Sequence, residues 1–361
     1  MRKHKKIFFP LHFAIIFTVL TVNDELLAAE ATLGHYPLCE ASAALLVACP
    51  DGNGECLLVG DNEQGKELYL FPVKDQKLDS GKQSAFDLHL KDGAEISDIE
   101  ALVGVSGDQI LAFASHSRDS KCEIDNMRHQ YGKVSLSKAN TAVVDTLLNK
   151  NVTCENLVDK KNLNASMKAA CDTIDAADTK ATLIDNDRKA STLTKAAAKE
   201  AAKKSCNEVS AYNAEGAVVI GNDVWIGLRA PLLPAHPSQS EKKNLAILLH
   251  MKDLTAYTFD RVAFLDLGGR GVRDLSSDAT NIYVIAGPSE DRAEPFELRH
   301  FPKSALDKTD VINTELIQTL PSSSEGLAIS GKTAFIVIDG DKGKNGQKCN
   351  EPAGYKIVSL P

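Results

Sequence analysis

A short phrase returns five times along this chain, each time ahead of a stretch rich in β-forming residues. Its copies are Cys39-Glu40-Ala41-Ser42, Ile99-Glu100-Ala101-Leu102, Ala214-Glu215-Gly216-Ala217, Val272-Arg273-Asp274-Leu275 and Ser324-Glu325-Gly326-Leu327. A unit of a few strands cannot bury its apolar face alone, so a repeat at this spacing specifies stacked units, a propeller or a solenoid. The intervals are 60 residues from Glu40 to Glu100, 59 from Glu215 to Asp274 and 51 from Asp274 to Glu325. The 115 residues from Glu100 to Glu215 leave about one unit's worth of extra chain.

The third copy shows the pattern of a unit. Apolar runs at 216–220, 224–228, 245–250 and 261–267 alternate with Gly, Asn and Asp turns such as Gly221-Asn222-Asp223, which are strand and hairpin signals. The fifth copy offers 327–330, 334–338 and 355–360 and then ends, so its fourth strand has to come from the N-terminal segment 31–38. Five units of four antiparallel strands predict an all-β fold, a five-bladed β-propeller, which leaves only short, protected sheet edges. A solenoid would not explain the incomplete last unit. The extra chain, 149–207, is rich in Ala, Lys, Asp and Asn and lacks aromatic residues. It reads as a helical insertion between blades two and three; the alternative, a degenerate sixth blade, would need strand-like runs that are missing there.

Residues 1–29 look like an export signal rather than fold. Arg2, Lys3, Lys5 and Lys6 precede an apolar run at 7–22, and Leu27-Ala28-Ala29 offers small residues for cleavage. The apolar run is short against the roughly 20 residues that span a bilayer, so no stable membrane span is expected after cleavage. That leaves 30–361 as the propeller and moves the formal charge from −8 to −10. An acidic chain without a basic block is a poor match for nucleic acid, whose phosphates demand Lys and Arg. All eight cysteines lie in the mature part; an even number in an exported chain predicts disulfides and a periplasmic or secreted protein. Cys49 and Cys56 flank a turn-rich hairpin link and are expected to pair, as are Cys154 and Cys171 in the insertion.

The segments Ile226-Gly227-Leu228-Arg229-Ala230-Pro231, 265–274, Ile285-Ala286-Gly287-Pro288 and Ser324-Glu325-Gly326-Leu327-Ala328 resemble a family of bacterial exported proteins catalogued as a domain of unknown function. The resemblance covers most of 37–361 apart from the insertion. It implies a propeller-like fold and offers no catalytic residues to carry over. The Glu-Gly-Leu phrase alone is similar, more loosely, to esterase-like phytases and lactonase-type propellers.

The phrases open the innermost strand of each unit, which places Glu40, Glu100, Glu215, Asp274 and Glu325 near one mouth of the central channel. The second strand returns to that mouth, bringing Asp61, His116, Arg118, Arg229 and Asp339, and Arg273 belongs to the fourth phrase itself. Carboxylates crowded at a narrow mouth repel one another unless compensated by arginine or a bound cation. Calcium suits such oxygen donors, with Glu100, Glu215 and Glu325 as its expected ligands, whereas zinc would want grouped His or Cys. No Gly-x-Ser-x-Gly elbow supports a serine hydrolase. Three functions remain open at this level: binding of a small or polymeric ligand at the acidic mouth, metal-assisted hydrolysis of a phosphate ester, lactone or glycan, and an extracytoplasmic scaffold for protein contacts. A purely structural role for the phrase, capping the start of each inner strand, competes with all three.

Overall fold

A computed structural model describes residues 31–89, 95–136, 141–149, 154, 163–253, 258–290, 294–341 and 349–361; the expected signal segment lies outside them. After β1 (Ala31–Thr32), blade one runs outward through β2 (Ala41–Ala48), β3 (Glu55–Asp61), β4 (Glu67–Lys74), which also carries β5 (Lys77–Leu78), and β6 (Ser84–His89). Blade two is β7 (Ile99–Ser106), β8 (Gln109–Ala114), β9 (Gln130–Leu136) and β10 (Thr141–Asn149). The helices α1 (Ala165–Ala190) and α2 (Lys195–Cys206) follow. Blade three is β11 (Asn213–Ile220), β12 (Asp223–Ala230), β14 (Gln239–Asp253) and β15 (Thr258–Asp266), with β13 (Leu233–His236) folded back on β14. Blade four is β16 (Gly271–Ser277), β17 (Asn281–Gly287), β18 (Phe296–Pro302) and β20 (Glu315–Leu320), while β19 (Val311–Asn313) adds in parallel to β15. Blade five is β21 (Ser324–Ser330), β22 (Thr333–Ile338) and β23 (Gly354–Ser359), completed by β1, which pairs Ala31 with Tyr355 and Thr32 with Gly354.

The fold is therefore a five-bladed propeller with its helices between blades two and three. The inner strands β2, β7, β11, β16 and β21 contact one another in a closed ring. Three of the inner hairpins turn on Gly107, Gly221 and Gly331, at φ of 58°, 65° and 56°, backbone that any larger residue resists. Apolar side chains collect in five clusters, one at each contact between neighbouring blades. Phe86, Phe264, Phe301 and Phe335 are among the fully buried ones, each contributing on the order of 2–3 kcal/mol by leaving water.

The helices are tied to blades two and three. Asn164 caps α1 by accepting from the Met167 amide at 2.8 Å. Met167, Ala170 and Ile174 then enter the core between blades two and three, beside Leu249 and Phe259. The insertion thus adds more to the core than its composition suggests, because its few apolar residues recur at helical spacing on one face. Arg118 donates to Asp178 at 2.6 Å and to Thr182 at 2.7 Å, and Arg188 reaches Glu123 at 3.2 Å.

Four disulfides join Cys39 to Cys349, Cys49 to Cys56, Cys122 to Cys206 and Cys154 to Cys171. The second and fourth are local, as their spacing allows. The first ties the start of blade one to blade five, and the third ties α2 to blade two. Four bridges place the chain in an oxidising compartment outside the cytoplasm. Among the described residues, no helix is long and apolar enough to cross a membrane.

Candidate functional site

The strand register positions the site. In each blade the pairing of inner strand with its neighbour slips at one equivalent place: between Ala41 and Ala43, Ile99 and Ala101, Ala214 and Gly216, Val272 and Asp274, and Ser324 and Gly326. A bulge inserts one unpaired residue and re-aims its side chain. The five bulged residues are Ser42, Glu100, Glu215, Arg273 and Glu325, so the repeated position carries three glutamates, one arginine and one serine. The position after it must be small where strands crowd the axis. A Cβ on Gly216 would stand 3.1 Å from the Asp274 backbone, and one on Gly326 would stand 2.8 Å from that of Ala43.

Glu100, Glu215, Arg273 and Glu325 open into a cavity of about 470 Å³ at the channel mouth, together with Asp98, Arg128, Arg229, Glu290 and Asp339. Arg273 is the hub of the mouth. Its Nη1 donates to Glu215 at 3.0 Å and to Glu325 at 2.8 Å, its Nη2 donates to the Pro288 carbonyl at 3.1 Å, and its guanidinium lies 5.2 Å from the Phe296 ring centre. Arg229 and Asn213 donate to the other oxygen of Glu215, at 3.0 and 2.8 Å. Arg128 donates to Asp98 at 3.0 Å, and the Ser115 hydroxyl donates to the same carboxylate oxygen. Among the described residues, the three guanidinium groups of the mouth are thereby matched to carboxylates.

Two acids are not matched. Glu100 is 6% exposed, yet among the described residues its carboxyl makes no hydrogen bond or ion pair. Burial pushes its pKa well up, and Glu215, Asp98 and Glu325 push it further against the opposing pull of Arg273. Asp339 keeps a buried Oδ1 without a hydrogen-bond partner. Burial, then Glu325, Glu40 and Asp61, drive it up to about 9. Glu325 is pushed up to about 7, chiefly by burial, with Arg273 opposing.

The remaining expected site residues lie elsewhere. Asp274 points away from the mouth: its oxygens accept from the backbone amides of Leu275 at 2.7 Å and Leu327 at 2.6 Å, and from that of Ala44. It knits blades four, five and one together below the cavity. Glu40 precedes β2 and the bulge of blade one, where Ser42 takes the repeat position and bonds the Ile99 carbonyl. Asp61 accepts from the amides of Cys39, Glu40 and Glu63 at 2.9, 3.0 and 2.9 Å, which fixes the chain leading into blade one. His116 is buried, bonds the Ala114 carbonyl at 2.9 Å and stacks on His129; burial lowers its pKa to about 3 and keeps it neutral. Arg118 is committed to α1, as described above. None of these five lines the cavity at the mouth, although Arg118 also borders the depression beside it.

Glu100, Glu215 and Glu325 share the mouth, with Arg273 bridging the last two. Among the described residues, no three His, Cys, Asp or Glu side chains are grouped so as to hold a metal ion. The mouth also continues sideways. A second depression of about 280 Å³ shares Arg229 and Glu290 with it, and a third of about 760 Å³ shares Ser210 and Glu290 with the second and is walled by Asp172, Ala176 and Lys180 of α1. Asp98 and Arg128 were invisible to the repeat because they lie outside its phrase, on the loops that flank it.

No curated protein matches the chain by sequence. Solved structures overlap it loosely. A GH43 endo-arabinanase from Bacillus licheniformis is 7% identical over 93% of this chain and 96% of its own, at a TM-score of 0.41. A GH43_1 enzyme from Xanthomonas citri, complexed with xylose, is 5% identical over 92% and 91%, at 0.42. A luciferin-regenerating enzyme is 12% identical over 92% and 81%, at 0.38. None of these overlaps transfers an activity. A family model matches residues 53–329, most of the propeller and the whole run from Glu100 to Glu325, and the chain belongs to that family, Protein of unknown function (DUF3616).

Proposed function

We propose that this is an exported binding protein, periplasmic or secreted, whose propeller takes a polar small or polymeric ligand at the acidic channel mouth. The observation that carries the reading is Glu100: a buried carboxyl, facing a cavity, with the three described guanidinium groups of the mouth already engaged by other carboxylates. Buried polar groups in folded proteins are almost always hydrogen-bonded, and an acid used only as a cap would be bonded to the backbone as Asp61 and Asp274 are. The adjoining depressions give a ligand room beyond the mouth.

Thermal-shift measurements on a panel of polar metabolites, oligosaccharides and calcium, with wild type and Glu100→Gln side by side, test the reading. A compound that stabilises wild type and fails on the variant supports it. Compounds that act equally on both proteins would place binding elsewhere and overturn it.

One observation favours hydrolysis as the second reading. Glu325, at about 7, is suited to give and take a proton at neutral pH, next to a Glu215 held by two arginines. Turnover of a bound compound by wild type and its loss in Glu325→Gln would establish it; binding without turnover leaves the protein a receptor.

A further inference from the structure

We infer that the ligand of the mouth is an organic cation, presenting a primary ammonium group to Glu100 and Asp339. The inference rests on the binding reading above and narrows its chemistry. Once Arg128 is matched to Asp98, and Arg229 and Arg273 to Glu215 and Glu325, the acceptors left over in the cavity among the described residues are the Glu100 carboxyl, Asp339 Oδ1 and the amide oxygens of Asn62 and Asn213. Glu100 belongs to blade two and Asp339 follows the second strand of blade five. Among the described residues, what the wall lacks is a further donor carrying positive charge. A neutral hydroxyl ligand bonds these acids without compensating their ionised form, whereas an ammonium group supplies both donors and the opposite charge.

A bare metal ion fits the wall less well. Calcium wants six to eight oxygens at about 2.3–2.6 Å, and no three of the described acidic, His or Cys side chains are so gathered. An ammonium group needs about three acceptors. A cavity of about 470 Å³ that opens along Arg229 and Glu290 toward α1 accommodates the organic body behind it.

The groups that face Glu100 are Asp98, Glu215, Glu325 and Arg273; those that face Asp339 are Glu325, Glu40, Asp61 and Arg273. Both carboxyls hold protons more tightly than a solvent-exposed acid, so an arriving ammonium group displaces protons. The test is titration calorimetry of the full-length mature protein with putrescine, with neutral 1,4-butanediol and with calcium chloride, in buffers of different ionisation enthalpy between pH 6 and pH 9. Putrescine is expected to bind with release of a proton, to bind up to about tenfold more tightly per pH unit for each proton released, and to lose at least about tenfold in affinity in Glu100→Gln. Asp339→Asn, at a half-buried position, gives the same reading if Glu100→Gln does not fold. Butanediol binding lost in the variants, with putrescine inactive, would overturn the cation while the mouth stands as a binding site. Calcium competing with putrescine, at higher affinity and with the same proton release, would overturn the organic ligand in favour of a metal. Putrescine binding equally to wild type and both variants would overturn the assigned site.

Discussion

Two buried acids on inner strands, only a few ångströms of chain apart in the repeat, have opposite surroundings. At the channel floor Asp274 accepts from three backbone amides in blades four, five and one. At the mouth Glu100 accepts from none of the described residues. Burial raises the pKa of both, so burial and a shifted pKa do not tell a scaffold acid from a ligand-facing one. The inventory of donors does. An unpartnered buried acid calls for an explanation beyond the fold, such as a ligand, an ion or a catalytic role, whereas a fully bonded one is explained by the fold alone.

The contrast is sharpest in what removal should do. Asp274→Ala orphans three buried amides at about 1–3 kcal/mol each, and chemical denaturation should show a loss of roughly 3 kcal/mol or more, or no folded protein. Arg273→Met is expected to cost about 3 kcal/mol, the low end for breaking a buried pair, because Arg229 and Asn213 still hold Glu215. A loss larger than that of Asp274→Ala would mean that the hub supports the floor as well as the mouth.

A pH series separates the regions further. Glu325 and Asp339 have folded-state pKa values near 7 and 9, above the usual carboxylate range near 4. The folded protein therefore holds protons that the unfolded chain has released. Their contribution to stability is full below about pH 4 and declines as pH rises through 7 and then 9, at most about 1.4 kcal/mol per unit for each group. Melting temperature should fall across that window without ligand and fall less in Asp339→Asn. A flat profile would show that the mouth acids are already compensated.

Glu100→Gln should then be neutral or stabilise the empty protein by about 1 kcal/mol, since the amide removes the cost of ionising a buried acid that has no partner among the described residues. A loss comparable to Asp274→Ala would make Glu100 a scaffold residue after all. Exposed Glu241→Gln sets the scale of no effect, within about 0.5 kcal/mol.

The repeat made the architecture legible because strand pattern, turn glycines and interval are local properties of the chain. The register of the fourth and first copies was not. Val272-Arg273-Asp274-Leu275 offers an acid beside an arginine, and the acid matches the other phrases by chemistry. The backbone selects the arginine instead, since the bulge falls one residue earlier. In the first copy it falls on Ser42 rather than Glu40. A bulge depends on how two strands pair, and the residues alone do not display it. The same reason hid the pairing of Arg118 with α1 and of Asp98 with Arg128, both of which join segments distant in sequence. Alignment of Ala41-Ser42-Ala43-Ala44 with Ser324-Glu325-Gly326-Leu327 was the available clue, through the small residue that follows the bulge in each.

The clasp between blades one and five has a consequence for the order of assembly. β1 completes blade five, and Cys39 bonds Cys349 across 310 residues, so the ring cannot shut until its last blade has been made. Glu325 and Asp339 lie on that blade, while Glu100 lies on the second. The cavity therefore has no existence in a growing or half-folded chain: its walls meet only as the circle closes. Recognition at the mouth is tied to completion, and any molecule held there reports on a finished protein.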